Sequence, residues 1–484
     1  MSISIVIMYK KLQRIELLII DLAEKNQCFG RLEDGMSVFV QGMVAVGDRV
    51  EAEIIKIKKQ YLVARLTRIL IPAETRTDPI CFYFGICGGC KWQHMQYREQ
   101  LRLKQKQVQD ALHHIGGFKD VECETCIAAQ NPFNYRNKVD FSFTDLRYLT
   151  EEEMTHPEDL LSKPVDFALG FHAPGRFAKA IDIDHCHLAT PAMNQILNLV
   201  RAFCLEHKDV LSIYSTRTHT GELRNLVIRH SGHTHELMVN LVTSSHHADL
   251  MILLRERLLA EIGSKLTTFV NSITSAKNTV AFGEKEFVMH GNGSITDRLG
   301  IYTYQISPNS FFQTNTAQAE VLYEQILDAA QLTSTDIVYD LFCGTGSITL
   351  FASKYCHKVL GIELMESSVN DAQANAELNK VENCQFIQVD MKALQSIESE
   401  CASFGAPDVV ITDPPRAGMH PKAIEILREW SPHVIIYVSC NPASLARDSA
   451  LLCADQTYRL IKCTPVDLFP QTNHVESIAR FERL

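Results

Sequence analysis

The 484-residue sequence lacks several things at once, and each absence narrows what it can be. No apolar run is long enough to span a bilayer. The opening stretch, MSISIVIMYKKLQ, is short and carries no small-residue cleavage pattern. The expectation is a cytoplasmic protein with no membrane partner. A positive charge balance is also missing: 47 Lys and Arg stand against 57 Asp and Glu, a net charge of −10. Counterion release on nucleic acid rewards a positive footprint, so a uniformly basic binder is excluded. Local runs remain, as in Lys56-Ile57-Lys58-Lys59 and from Arg98 to Lys106. Such runs are more often a solvated face than a binding site. The 15 cysteines are an odd number without an export signal. That argues against a disulfide framework and for metal, cluster or nucleophilic roles. There is no internal repeat and no low-complexity tract.

What is present divides the chain in three. Residues 12–70 alternate apolar and polar positions, as in Arg49-Val50-Glu51-Ala52-Glu53-Ile54, between glycine turns at Gly30, Gly35, Gly42 and Gly47. Short strands at that spacing predict a small OB-like β-barrel. Residues 71–315 open with a cysteine cluster and a helix over about 95–114, and continue as mixed α/β with strands at Val165 to Gly170 and Leu226 to Arg229. An acidic stretch at about 150–163 reads as a surface insertion. Residues 316–484 alternate helices with buried strands at Ile337 to Leu341, Val359 to Ile362, Gln385 to Val389, Val409 to Thr412 and Val434 to Val438. That is a doubly wound, Rossmann-like α/β sheet.

The first of these strands runs into Asp340-Leu341-Phe342-Cys343-Gly344-Thr345-Gly346-Ser347. Glycines at such a turn let the backbone approach a ligand. The third glycine of the dinucleotide fingerprint is absent, with Thr349 in its place, while Asp340 precedes the loop and Glu363 ends the next strand. A carboxylate there can hold two ribose hydroxyls. The pattern suits S-adenosylmethionine (SAM) in a class I methyltransferase better than NAD. Asp390, ending the following strand, is placed toward the adenine, or is simply a turn residue.

Two more strand ends carry candidate chemistry: Asp413-Pro414-Pro415-Arg416 and Ser439-Cys440-Asn441-Pro442. Ligands bind at the carboxyl ends of such strands, so Cys440 is expected to face the cofactor. Cys343, in the glycine loop, is the lesser nucleophile candidate. A thiolate adding to C6 of uracil makes C5 nucleophilic enough to take a methyl group, and a base must then remove the C5 proton. Glu476 is the best candidate base, with His474 its rival. The target must leave its stack, so a flipped or single-stranded uridine in RNA is the expected substrate, not DNA.

These segments resemble the RNA (uracil-5-)-methyltransferase family over nearly the whole chain. The family's S-C-N-P motif matches Ser439 to Pro442, its D-x-F-P-x-T-x-H-x-E motif matches Asp467 to Glu476, and its F-Q-x-N motif matches Phe312 to Asn315. The resemblance implies Cys440 and Glu476 as the catalytic pair and SAM contacts from Gln313, Phe342, Ser347, Glu363 and Asp413. Family members often carry Asn where Ser347 stands. Phe29-Gly30 and Val38-Phe39-Val40 to Gly47 resemble a TRAM domain, an RNA-binding barrel. Cys81-x5-Cys87-Gly88-Gly89-Cys90, with Cys186, resembles the [4Fe-4S] site of the 23S rRNA branch, which implies 23S rRNA as substrate. A zinc site on the same four thiols, ligands from Cys123-Glu124-Thr125-Cys126, a tRNA substrate, and a catalytically silent rRNA-binding assembly factor are the alternatives. Tyr135-Arg136-Asn137-Lys138 and Arg224 also match family segments and are expected near RNA phosphates, or in structural ion pairs.

Overall fold

The computed structural model describes residues 9–23, 27–155, 163–277 and 283–484. The apolar opening run through residue 8 and most of the acidic stretch at 150–163 lie outside the described residues. Among the described residues no helix is long and apolar enough to cross a membrane.

Strands β1 (Arg14–Ala23), β2 (Gln27–Arg31), β3 (Ser37–Gln41), β4 (Arg49–Ile57) and β5 (Tyr61–Ile71) form a closed barrel in the order β1-β2-β3-β5-β4. Each strand alternates buried and outward positions, the period-2 pattern that fills a small barrel with Val38, Val40, Val50, Ile54 and Leu62. A Cβ on Gly30 would fall 2.2 Å from the Leu18 carbonyl oxygen, so only glycine lets β1 and β2 close here. Trp92, Met95 and Leu103 plug the barrel from the segment that follows it. Asp48, fully buried, accepts from the Ala45 and Ala73 amides and pairs with Arg76 at 2.8 Å, which fixes the exit of the chain.

Helix α1 (Tyr97–His114) belongs by sequence to the central stretch but packs elsewhere. Its Val108 and Leu112 are buried in the C-terminal core. The central region is a seven-stranded sheet, with the short helix α2 (Glu151–Thr155) between its first two strands in the chain. Its strands are β6 (Lys138–Thr144), β7 (Ala168–Ala173), β8 (Arg176–Asp182), β9 (Leu223–His230), β10 (Leu237–Thr243), β11 (Leu266–Ile273) and β12 (Lys285–His290). Their order is β12-β11-β10-β9-β6-β7-β8, with α3 (Pro191–Glu206) and α4 (Ala248–Ile262) buried against one face. The strand expected from Val165 begins three residues later, because Val165 is left in solvent and Phe167 to Leu169 are buried.

A hairpin, β13 (Ile295–Leu299) and β14 (Tyr302–Ile306), leads through α5 (Thr316–Ala330) into the last sheet. Here β15 (Ile337–Leu341), β16 (Lys358–Glu363), β17 (Cys384–Gln388), β18 (Val409–Thr412), β19 (Val434–Ser439), β20 (Tyr458–Val466) and β21 (Glu476–Arg483) stand in the order β17-β16-β15-β18-β19-β21-β20. Five strands are parallel, and β21 runs antiparallel between β19 and β20. The hairpin and α5 cover one face with α6 (Ser347–Ser353) and α7 (Glu366–Leu378). Helix α1 covers the other with α8 (Glu398–Phe404), α9 (Pro421–Trp430) and α10 (Pro442–Leu452). The fold is a doubly wound, mostly parallel α/β sheet preceded by a closed five-stranded barrel.

Candidate active site and cysteine cluster

Strand order decides where a ligand fits. Strands β15 and β18 are neighbours, although the chain visits β16 and β17 between them. The crevice at their carboxyl ends is the switch point of the sheet. Above β15 the backbone turns tightly: Phe342, Gly344 and Gly346 have φ of 62°, 55° and 79°. A Cβ on Gly344 would meet nothing within 4 Å, so the loop bounds open space. Glu363 accepts the Gly344 amide at 3.1 Å and the Leu364 and Met365 amides at 2.8 and 3.0 Å, which holds its carboxylate beside that space.

Asp340 is fully buried and takes the Thr349 hydroxyl at 2.6 Å on one oxygen, while its other oxygen has no partner. Burial, with Asp413 and Glu363 nearby, pushes its pKa up to about 7. An unpaired buried acceptor is costly unless a ligand donor meets it. That oxygen and the open space over Gly344 fit SAM, whose ammonium and ribose hydroxyls are donors. Burial also raises Asp413 to about 6. Gln313 and Ser347 come together, both lying beside the buried Tyr323 hydroxyl. Asp390 is exposed, and its carboxylate accepts the Lys392 amide at 2.9 Å, capping the turn that follows.

The register of β19 and β21 sets the second half of the site. Ser439 faces Ser477 across the antiparallel pair, so Cys440 and Glu476 lie one step beyond it, at the same edge. Glu476 is buried, and burial with Asp413 nearby raises its pKa to about 8 against the pull of Arg416. Cys440 is half-buried. Burial, then Glu476 and Asp413, push its thiol up to about 11, while Arg416 opposes with its charge and a hydrogen bond. Arg416 is thus the cation shared by thiol and carboxyl. Asn441 holds it, donating from Nδ2 to the Arg416 carbonyl at 2.9 Å while capping α10. Asp448, fully buried, secures the same loop by accepting the Met419 amide at 2.7 Å and the Tyr437 hydroxyl at 2.6 Å.

The two rival assignments read differently in three dimensions. His474 is pushed down to about 4 by burial and by Arg416, Lys104 and Arg136, so it resists taking a proton. Cys343 is buried beside Asp340 and Glu363, and both burial and charge hold its thiol protonated. Cys440, Arg416, Asn441 and His474 line a cleft of about 670 Å³, closed on its far side by Leu22 and Phe29 of the barrel and by Lys106 and His114 of α1. That volume suits a nucleotide.

The loop from Asp467 to Glu476 is strapped from below. Lys104 pairs with Asp467, both fully buried, and donates to the Phe469 carbonyl at 3.0 Å. Tyr97 donates to the other Asp467 oxygen at 2.9 Å, and Gln100 exchanges hydrogen bonds with Gln471 at 3.0 and 3.1 Å. Breaking a buried pair strands a charge. Lys104→Met should therefore cost about 3–5 kcal/mol of stability, measured by urea unfolding, and Asp467→Asn in the same chain should recover part of it. A loss under about 1 kcal/mol would deny the strap.

Cys81, Cys87, Cys90 and Cys186 are free and half-buried. Burial raises the first three thiols, to about 11 for Cys87 and about 12 for Cys90, and all three feel Cys186. The Gly89 amide donates to the Cys87 sulfur at 3.4 Å, the amides of Tyr83 and Phe84 lie beside Cys81, and the Gln93 side chain accepts the Cys81 amide at 3.2 Å. Among the described residues, however, no group of three or more His, Cys, Asp or Glu is arranged to hold a metal ion. The expected metal centre is therefore not shown, although the four thiols lie near enough to feel one another. The donor set itself, four thiols with the Gly89 amide on the Cys87 sulfur, is of the chemistry that zinc and [4Fe-4S] sites share. Cys123 and Cys126 do not join them: Cys123 meets Cys463, and Cys126 lies near Asp467 and Lys104. The Lys91 and Trp92 amides both donate to the Gln471 carbonyl, at 2.9 and 3.1 Å, so the cysteine loop abuts the Glu476 loop directly.

The residues expected on RNA phosphates divide. Arg224 is buried with its guanidinium 3.8 Å from the Tyr214 ring centroid and donates to the Ala276 carbonyl at 2.5 Å, a structural position. Lys138 pairs with Asp140 at 3.2 Å. Arg136 keeps a buried Nε without a hydrogen bond. Sequence reasoning missed Arg416, Tyr323 and Lys104. Arg416 directly follows the Asp-Pro-Pro loop, which was a usable signal. Tyr323 and Lys104 sit on helices whose partners are far off in the chain, and nothing local marks them.

Residues 234–483 match the tRNA (Uracil-5-)-methyltransferase family, and residues 10–67 match the TRAM domain. An uncharacterized RNA methyltransferase of Chlorobaculum tepidum is 49% identical over 99% of this chain and 98% of its own length. One from Porphyromonas gingivalis is 38% identical over 96% and 99%. The crystal structure of the Pyrococcus abyssi tRNA (uracil-54, C5)-methyltransferase in complex with S-adenosyl-L-homocysteine is similar with a TM-score of 0.71 and 28% identity, covering 96% of this chain and 99% of that one. On sequence, domain content and sheet order alike, the chain belongs to the tRNA (uracil-5-)-methyltransferase family of SAM-dependent RNA methyltransferases.

Proposed function

We propose that this enzyme methylates C5 of uridine in 23S rRNA in the cytoplasm, with Cys440 as covalent nucleophile and Glu476 as base. The observation that carries the reading is the β19–β21 register, which sets the thiol beside the carboxyl, with Cys440 itself lining a nucleotide-sized cleft. Arg416 favours the thiolate by charge and hydrogen bond. Cys440 gives up its thiol proton to solvent, its thiolate sulfur adds to C6 of the uracil, and the ring's electrons move to C5 and O4. SAM, when bound, supplies an electrophilic methyl group. Gln313, Phe342, Ser347, Glu363 and Asp413 line its place, with Asp390 toward the adenine end. Glu476 takes the C5 proton, the C5–C6 double bond re-forms, and the sulfur leaves. Cys81, Cys87, Cys90 and Cys186 would hold a [4Fe-4S] cluster, whose chemistry here is to cross-link the loop bearing Lys91 and Trp92.

The barrel and the four cysteines support rRNA. The likeness to an enzyme named for tRNA uracil-54 supports tRNA as the second reading. Incubating the purified protein with labelled SAM and with 23S rRNA or tRNA, each lacking 5-methyluridine, separates them. Label in 23S rRNA is expected, label confined to tRNA would transfer the assignment, and label in neither would reject it. Iron analysis of anaerobically prepared protein should give about four irons per chain; stoichiometric zinc would reject the cluster.

The base must be ionised to act. With a pKa near 8, about a tenth of Glu476 is charged at pH 7 and half at pH 8. Single-turnover release of methylated RNA from the Cys440 adduct should therefore rise about fivefold between those values. A profile flat from pH 6 to 9 would contradict the base assignment.

A further inference from the structure

The active-site cleft does not end at the methyltransferase domain. Phe29, on β2, lines it together with Cys440. On the outer wall of the barrel Phe29 pairs across β2–β3 with Phe39, ring centroids 5.8 Å apart. Phe39 in turn meets Tyr61 of β5 edge-to-face at 5.2 Å. Three half-exposed rings on adjacent strands thus form a row leading away from Cys440. At its far end Tyr61 borders a second cleft, of about 510 Å³, with Lys11 and Lys56. Neither lysine makes an ion pair among the described residues, and Lys58 and Lys59 stand alongside without one.

Charge points the same way. Residues 10–71 hold eleven Lys and Arg against eight Asp and Glu, an excess of three positive charges in a chain whose total is −10. The barrel is a locally positive part of an acidic protein. Aromatic rings spaced along a positive barrel face fit single-stranded nucleic acid, whose bases stack on the rings while its phosphates meet the lysines. A buried protein interface would need a larger, flatter apolar patch without unpaired lysines at its edge.

We propose that Phe29, Phe39 and Tyr61, with Lys11 and Lys56, form a stacking track for the unpaired RNA that flanks the target uridine. The inference rests on the RNA uridine-methylation reading. It adds that the substrate must be single-stranded for several nucleotides on one side of the target. The track is continuous with the cleft through Phe29, so the flanking strand and the flipped base are held by one surface. It also explains how a net-acidic enzyme engages a polyanion, since the favourable field is confined to the barrel wall.

The test uses the full-length protein and two substrates. One is a short RNA presenting the target uridine with a single flanking nucleotide. The other extends the unpaired strand by about six nucleotides. Phe39→Ala/Tyr61→Ala lies outside the catalytic pair, and its folding and SAM affinity are checked first. If those fail, Phe39→Leu/Tyr61→Leu, which keeps the bulk and removes the rings, replaces it. The variant should weaken binding of the extended RNA, and raise its KM, by at least about tenfold, with kcat and the short RNA unchanged. Lys11→Ala/Lys56→Ala should flatten the salt dependence of binding to the extended RNA by about two counterions. Equal loss on both RNAs, or binding of the extended RNA within twofold of wild type, would overturn the track. So would equal competition by a fully base-paired stem. If the unaltered protein methylates neither RNA, the functional reading itself has failed, and the track is judged by the binding arm alone.

Discussion

Replacing Cys440 by alanine should abolish methyl transfer, on the order of a 10⁴-fold loss or more, as removal of a covalent nucleophile does in other enzymes. SAM affinity should remain within about twofold of wild type. The physical ground is that C5 of uracil is too weak a nucleophile without addition at C6. The proposed cofactor pocket lies elsewhere, on β15, β16 and β18 and on the Gln313 segment, which the substitution does not touch. Cys440 is half-buried and contributes little packing, so the fold should survive. Single-turnover methylation and calorimetric SAM binding read the two effects apart. Turnover above about a tenth of wild type would remove Cys440 from the mechanism.

The second large effect concerns Glu476. Gln at this position keeps the shape but cannot take the C5 proton. The methylated uracil should then stay bonded to Cys440, as an RNA–protein adduct that survives a denaturing gel. Release of methylated RNA at the wild-type rate would reject the base role. The same substitution has a stability consequence of opposite sign. The carboxyl titrates at about 8 in the folded protein against an ordinary value near 4.5. Between those values the native state holds a proton that the unfolded chain has lost, so native stability falls as pH rises through this window. Above pH 8 the charged carboxylate is buried beside Asp413, and the penalty is fully developed. Glu476→Gln carries no such charge. Its melting temperature should exceed that of wild type at pH 9 and lose that advantage at pH 5. The active site thus stores instability that a neutral side chain releases.

Much of this was legible in the linear sequence, and the reason is local. The strands at Ile337 to Leu341 and Val409 to Thr412 were read to the residue, because a strand buried on both faces is a continuous apolar run bounded by turn residues. Residues that act from strand ends stand beside those runs, so Asp340, Asp413 and Cys440 were visible as candidates. The barrel was visible through its period-2 alternation. The strand at Ala168 was misplaced because the first residues of the apolar stretch, from Val165, lie in solvent, a matter of packing and not of pattern.

The sequence by itself determined the sheet, the barrel and which residues could supply a thiol, a carboxyl and a glycine turn, because each depends on neighbours within a few positions. Only the tertiary structure decided that Cys440 stands beside Glu476 and that Arg416 serves both. It also decided that His474 is held unprotonated, and that α1 packs on the catalytic domain with Lys104 beneath Asp467, 363 positions away in the chain. Burial and charge at a site are sums over groups brought from distant segments, and no short window of sequence contains them.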